Sequence, residues 1–280
     1  MTPEDMELLA ALGRARAGLK VDVDKTYVIE SRLGPLARRE GFDSIEALIA
    51  TLRSKREERL IWAVVEALTF NETSFFRDRE VFAHLRDHVL PTLSKTRRDQ
   101  PIRIWSAACS TGQEVYSLAM AAGDSRDVEP GAKFEFFGSD LSERCLEKAQ
   151  SGLYTQFEIQ RGLPIQQLVK HFANQDDTWE ISPRIRQLVR WKRINLLSDL
   201  SPMGRFDVIL LRHVLEGLDP SVQGRVIESL AARLADDGVL VLSPDDHLTG
   251  AAATLLSASD QPGVFVRNAV VAAAQEEAAA

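Results

Sequence analysis

The residues of this chain whose types and spacing could do chemistry gather in two stretches. The first is LTFNETSFFRD, residues 68–78, where Asn71, Thr73 and Arg77 stand among adjacent aromatics and small polar residues. Asn71 or Thr73 could cap a following helix, with Phe75 and Phe76 anchoring it in a core. Capping requires neither Arg77 nor so many hydrogen-bonding side chains in one turn. An arginine there is suited to grip a carboxylate through two parallel hydrogen bonds. The second is IRIWSAACSTGQEVYSLAM, residues 102–120. Ile102, Ile104 and Trp105 read as a short strand, and the small residues from Ala107 to Gly112 as a loop that turns sharply or meets a ligand closely. From Gln113 the pattern is helical, with Val115, Leu118 and Ala119 on one stripe and Glu114 in the first turn. Strand, small-residue loop and helix is how an open α/β sheet builds a cofactor cradle at its carboxyl edge.

The cradle lacks the marks of a phosphate site. No lysine follows Gly112, which removes the main charge contact to a nucleoside triphosphate, and there is no Gly-x-Gly-x-x-Gly for a dinucleotide. Residues 134–138 read as a second strand, with Asp140 just past its end. A carboxylate there offers two oxygens to the two hydroxyls of an adenosyl ribose. A small-residue loop without that lysine, followed by an acidic strand end, points to S-adenosylmethionine. The same residues also fit a plain α/β loop and a helix-capping aspartate.

The elements that must position these residues follow in order. Residues 1–70 read as a small all-helical domain. Met6, Leu8, Leu9 and Leu12 mark one helix, Tyr27, Ile29, Leu33 and Leu36 a second ending near Gly41, and Ser44 caps residues 45–52. Residues 60–68 form a strongly apolar fourth. Its basic residues cluster as Arg32, Arg38 and Arg39, then Arg53, Lys55, Arg56 and Arg59, either a solvated face or a docking surface for an acidic partner. Residues 71–94 form a linker and the first helix of the next domain, with a continuous helix expected over 82–93. An α/β domain spans 95–272, and residues 273–280 form an alanine-rich tail. Ser142 caps the helix after the second strand. Residues 157–194 read as a small antiparallel insertion in which 179–181 pairs with 188–191. Residues 206–211 are an apolar run typical of a buried parallel strand. An Asp-Asp-Gly turn precedes a strand at 238–242, and residues 264–266 are expected as the final edge strand.

Composition narrows the class. At 280 residues with a net charge of −7, the chain is a poor general nucleic-acid binder. No apolar run approaches the length that spans a bilayer. The N-terminus lacks a signal-peptide pattern, so a cytoplasmic protein is expected. Cys109 and Cys145 are too few for a disulfide framework or a tetrahedral metal site, and Cys109 is read as a packing residue. The five histidines show no convincing ligand spacing, although His84 and His88 lie one helical turn apart, and no metal is expected.

Residues 71–78 and 105–119, together with Ser139-Asp140, Gly152-Leu153-Tyr154, Arg161-Gly162, Asn195-Leu196-Leu197 and Phe206-Asp207-Val208-Ile209, resemble the chemotaxis receptor methyltransferases of the CheR type. The likeness covers about 240 residues. It implies a class I, Rossmann-like S-adenosylmethionine-dependent methyltransferase domain with a small antiparallel β insertion, preceded by an all-α N-terminal domain. The implied activity is O-methylation of glutamate side chains on the cytoplasmic helical bundles of chemoreceptors, leaving S-adenosylhomocysteine. By resemblance, Asn71, Thr73 and Arg77 contact cofactor and substrate carboxylate, with Arg77 catalytic. Ala107, Gly112 and Glu114 hold the methionine end, Asp140 takes the ribose, and Asn195 with Leu196 flanks the adenine. His213 and Val214 complete the cofactor contacts.

Departures bear on activity. The family carries Arg-Asn-Val-Leu-Ile-Tyr-Phe-Asp where this chain has Arg212-His213-Val214-Leu215-Glu216-Gly217-Leu218-Asp219. His213 replaces an asparagine that contacts the cofactor, and Gly217 replaces a tyrosine near the transferring methyl. Residues 243–246, Ser-Pro-Asp-Asp, also depart from the usual end of the fifth strand. An active glutamate methyltransferase is the first reading. A cofactor-binding regulatory or scaffold protein without transfer is the second, and a small-molecule methyltransferase is weaker still. The basic face of the helical domain would meet the receptor bundle. The loop at 173–178 is short beside members that dock a receptor's C-terminal peptide by strand addition, so no such tethering is expected.

Overall fold

The computed structural model describes residues 1–55, 57–248, 253 and 256–267. The chain divides into two compact units. The helical unit comprises Met1–Phe70 together with His213–Gln223, and the second comprises Asn71–Arg212 with the described residues from Gly224 onward.

Four helices build the first unit: α1 (Pro3–Ala17), α2 (Thr26–Arg39), α3 (Ile45–Lys55) and α4 (Glu58–Leu68). Thr2 and Asp5 form a reciprocal capping box on α1, and Gly18, in the left-handed region, ends it. Ser44 caps α3, its Oγ accepting from Ala47 N at 3.1 Å. Leu9, Leu33, Leu48 and Val64 are completely buried and make the core. The basic cluster is largely engaged inside the unit. Arg53 pairs with Asp5 at 2.9 Å, Arg59 with Glu40 at 2.7 Å and Arg39 with Glu40 at 3.5 Å. Arg32 donates to the Leu68 carbonyl at 2.7 Å and lies over the Phe70 ring. Arg38 and Lys55 make no ion pair among the described residues, and Arg56 lies outside them.

Residues 213–223 belong to this helical unit, although the sequence places them in the methyltransferase domain. Backbone hydrogen bonds hold them there: Lys20 N donates to Gly217 O at 2.9 Å, and Asp219 N donates to Gly18 O at 2.7 Å. Arg14 adds an ion pair to Asp219 at 2.9 Å.

The second unit is a seven-stranded sheet with helices, plus a separate three-stranded sheet. The large sheet contains β1 (Ile102–Ala107), β2 (Phe134–Asp140), β6 (Val189–Arg193), β7 (Phe206–Leu210), β8 (Leu234–Val241), β9 (Leu256–Ala258) and β10 (Val264–Arg267). Its order is β6-β2-β1-β7-β8-β10-β9, parallel from β6 to β8 and antiparallel in the last two pairings. The order runs outward from β1 in opposite directions, to β2 and β6 and then to β7 and β8. That reversal is where open α/β sheets place a ligand, outside the carboxyl ends of the strands. Every residue of β7 is buried, as an apolar central parallel strand must be. Helix α7 (Gln113–Asp124) follows β1, and α8 (Glu143–Ser151) follows β2 with Ser142 as its cap. The small sheet has the order β3-β5-β4, from β3 (Leu153–Thr155), β4 (Phe172–Gln175) and β5 (Thr178–Ile181).

The structure corrects five sequence expectations. Residues 188–191 do not pair with 179–181. They lie in β6, parallel to β2, while β5 pairs with β3 and β4. Their alternation suits either sheet, and only long-range pairing decides between them. The helix over 82–93 is interrupted by a wide π turn at Leu85–Val89, beside Pro91, which lacks the N–H of a continuing α turn. Neither Asn71 nor Thr73 caps the next helix, since α5 (Arg79–His84) starts after Asp78. Asp236, Asp237 and Gly238 make no turn. They ride within β8, where the register to β7 shifts across a bulge. Finally, β10 is flanked by β8 and β9 and is not an edge. The alanine-rich tail lies outside the described residues.

Candidate active site

The carboxyl ends of β1 and β2 and the N-terminus of α7 bring Ala107, Gly112, Glu114 and Asp140 together. The loop between β1 and α7 is strained. Ala108, Ser110 and Gly112 all take left-handed φ, at 56°, 50° and 87°. Two of these are not glycine, so neighbours must hold the conformation. Cys109 N donates to Ser139 O at 2.8 Å, Ser110 Oγ donates to Asn71 O at 2.7 Å, and the Tyr154 hydroxyl donates to Thr111 O at 2.8 Å. Glycine at 112 is required twice over. Besides its φ, a Cβ would lie 2.8 Å from the Trp191 ring and 2.9 Å from Ala149 Cβ.

Asp140, at the end of β2 and almost fully buried, is the loop's bracket. Its Oδ2 accepts from Ser110 N and its Oδ1 from Ser142 N, both at 2.8 Å. One carboxylate therefore ties the cradle loop to the cap of α8. A carboxylate at this strand end presents two oxygens side by side, the arrangement that two vicinal hydroxyls require.

Glu114 is similarly fixed. Its Oε1 accepts from Ser106 Oγ at 2.8 Å and its Oε2 from Arg212 Nη1 at 2.9 Å. Arg212, whose side chain is completely buried, also reaches the Arg77 carbonyl at 2.8 Å and the Asp78 carboxylate. The sequence reading missed Arg212, Ser106 and Tyr154 as contributors. The available signal was an arginine just after a buried, mostly apolar strand, where a charge needs partners.

Residues 71–78 lie against this edge through several contacts. Phe75 is completely buried, edge-on to Tyr154 at 5.0 Å and to Phe172 at 5.5 Å. Its carbonyl approaches so closely that a Cβ at Gly162 would stand 2.1 Å away. Phe76 and Asp78 take left-handed φ, at 47° and 59°. Of the six described non-glycine residues with such φ, four lie in the two stretches singled out as chemistry-bearing. Arg77 is half-buried. Its guanidinium makes no ion pair among the described residues, and Nη1 makes only a long contact to Glu72 O at 3.4 Å. Thr73 is half-buried, and Asn71 is exposed with its carbonyl engaged by Ser110.

Asn195 and Leu196, both half-buried, follow β6; Asn195 Oδ1 accepts from Leu197 N at 3.0 Å in a local turn. Ile194 N donates to Asp140 O at 3.0 Å, so this turn starts beside the bracket. His213 and Val214 belong to the helical unit. His213 has φ 57°, a region where Asn, Asp and His are enriched, so histidine suits the backbone at this position. Gly217 takes no left-handed φ, and a Cβ there would meet nothing within 4 Å.

Burial, with the Asp140 and Glu114 charges adding, pushes the Cys109 thiol well up, so it stays protonated and packs. No helix among the described residues is long and apolar enough to cross a membrane.

The arrangement fits a ligand with a cationic end and a diol: a cradle without a phosphate lysine, and two anchored carboxylates. Comparison with known proteins agrees. Residues 71–262 match the family described as CheR methyltransferase, SAM binding domain, and residues 4–69 match CheR methyltransferase, all-alpha domain. The chain is similar to chemotaxis protein methyltransferase 1 of Pseudomonas aeruginosa, 33% identical over 267 residues, which is 94% of this chain and 97% of the relative. It is similar to the chemotaxis protein methyltransferase of Vibrio parahaemolyticus, 31% identical over 256 residues, 90% of this chain and 92% of the relative. The Escherichia coli protein of that name is 33% identical over 239 residues, 84% of this chain and 81% of the relative.

Proposed function

The chain belongs to the CheR methyltransferase family and uses S-adenosylmethionine, and from that premise we propose that it methylates glutamate side chains on the cytoplasmic helical bundles of chemoreceptors. The observation that carries the reading is the pair of buried carboxylates, Glu114 and Asp140, each gripped by two donors beside a glycine cradle.

The bound cofactor supplies an electrophilic methyl on a sulfonium sulfur. A glutamate substrate is already ionised at neutral pH, so the protein needs no strong base and must chiefly align the reacting atoms. Glu114, with the backbone at Ala107 and Gly112, holds the methionine end. Asp140 accepts the ribose hydroxyls, and Asn195 and Leu196 flank the adenine. Asn71 and Thr73 contribute further contacts to the cofactor. Arg77, which makes no ion pair among the described residues, grips and orients the incoming carboxylate.

Arg38 and Lys55, members of the basic cluster that make no ion pair among the described residues, form the docking face for an acidic receptor helix, in the cytoplasm. The β4–β5 connection is a tight turn at Asp176 and Asp177, leaving little surface for a receptor tail, so no tail tethering is proposed. Tight capture of such a tail peptide in a pull-down would overturn that part. The substrate assignment is tested with tritiated cofactor and receptor cytoplasmic fragments. Carboxyl methyl esters release volatile methanol in base. Label that is base-stable, or incorporation that survives replacement of the receptor's glutamates, would contradict a glutamate ester product.

A further inference from the structure

Arg212 ties three separate stretches of chain to one planar group. It stands just beyond β7, and its Nη1 donates to Glu114 in the first turn of α7. Its Nη2 donates to the Arg77 carbonyl and to Asp78, in the loop that carries the substrate-facing arginine. The Phe82 ring lies 5.4 Å from its Cζ and shields the group. The side chain is completely buried, yet its Nε finds no hydrogen-bond partner among the described residues. An arginine present only to stabilise a core is expected to have its buried donors satisfied.

The charge balance points the same way. Arg212 divides its one positive charge between two carboxylates, Glu114 and Asp78, so it does not fully offset the charge of Glu114. Ser106 supplies the donor on Glu114's other oxygen at 2.8 Å. Both Glu114 oxygens are thereby pinned, each with acceptor capacity left over. A pinned, negatively charged acceptor pair suits a primary ammonium better than a carboxylate or a neutral amide.

We propose that Arg212, together with Ser106, is a positioning residue that aims Glu114 at the cofactor's α-ammonium and, in the same grip, sets the turn carrying Arg77. This rests on the reading of Glu114 given above. Lysine keeps the charge but presents three donors from a point, and cannot span Glu114, Asp78 and the Arg77 carbonyl in one plane.

The test uses calorimetric binding of two ligands to the full chain. S-adenosylhomocysteine has the amino-acid end, whereas 5′-methylthioadenosine shares the adenosine and sulfur but lacks it. Arg212→Lys is expected to weaken S-adenosylhomocysteine by about tenfold or more, the worth of one hydrogen bond to a charged group, while methylthioadenosine changes less than about twofold. Ser106→Ala, a small change that keeps the fold should Arg212→Lys fail to express, is expected to show the same selective pattern. Combining either with Glu114→Gln should add little beyond Glu114→Gln alone. Equal losses for the two ligands, or no loss for either, would overturn the positioning role. If wild type and Glu114→Gln bind S-adenosylhomocysteine alike, the reading of Glu114 itself falls. If Glu114→Gln loses affinity while Ser106→Ala and Arg212→Lys keep it, only the inference falls.

Discussion

Replacing Asp140 with asparagine separates two jobs that the geometry assigns to one side chain. In the ligand-free protein its carboxylate accepts from Ser110 N and Ser142 N, both at 2.8 Å, while almost fully buried. Asparagine retains one acceptor oxygen and turns its amide NH2 toward the other backbone N–H. One hydrogen bond to a charged group is lost, worth about 1.5–3 kcal/mol, and the buried N–H left behind costs roughly a further 1–3 kcal/mol. Asp140→Asn should therefore destabilise the ligand-free protein by about 3–5 kcal/mol, a large share of a typical domain's stability. For a unit of this size the melting temperature should fall by roughly 6–20 °C. Urea denaturation and thermal melting without ligand measure it. If Asp140→Asn stays within about 1 kcal/mol of wild type while losing S-adenosylhomocysteine, Asp140 serves the ligand alone and the bracket argument is wrong.

Other perturbations test other parts of the account. Gly217→Tyr is expected to fold with stability within about 0.5 kcal/mol of wild type, because a Cβ there meets nothing within 4 Å. Restoring the family's phenol should raise the transfer rate, and an unchanged rate in a single-turnover assay would show that the glycine is no handicap. Arg38→Glu with Lys55→Glu should raise the KM for receptor while leaving S-adenosylhomocysteine affinity unchanged, and an unchanged KM would remove the docking face. His84 and His171 both titrate below their ordinary value, burial being the main cause and the charges of His88 and Lys170 contributing. Between the lowered folded values and an unfolded value near 6.5, the unfolded chain binds more protons. Stability should accordingly fall as pH drops through about 6.5 and level off below the folded values. The urea midpoint measured from pH 7.5 to 5.5 should slope in wild type and flatten in the His84→Gln, His171→Gln variant.

The sequence carried the strand, loop and helix around Gly112 because each piece has a local signature. β-branched and aromatic residues alternate with nothing that breaks a strand, small residues follow, and then a 3.6-residue period begins. Ser142 as a cap and the mostly apolar β7 were legible for the same reason. Partnership was not legible. Residues 188–191 look the same whether they join β5 or β2, since pairing is set by contacts far along the chain. The segment 213–223 follows a buried strand in sequence, yet it is held by Gly18 and Lys20 about two hundred residues upstream. The candidate site divides in the same way. Glu114 and Asp140 are visible from type and position, whereas Arg212 acquires its meaning only when Arg77, Asp78 and Glu114 converge on it. Strain was equally hidden, because nothing in the names Phe76, Ala108 or Ser110 announces a left-handed φ.

The most direct test of the central claim is calorimetric titration of S-adenosylmethionine and S-adenosylhomocysteine into wild type, paired with methyl transfer to receptor-containing membranes on the same preparation. The account predicts saturable one-site binding of both and transfer of base-labile methyl groups to the receptor. Absence of binding to well-folded protein would contradict the assignment of Glu114 and Asp140, and binding without any transfer to matched receptors would contradict the glutamate methyltransferase reading.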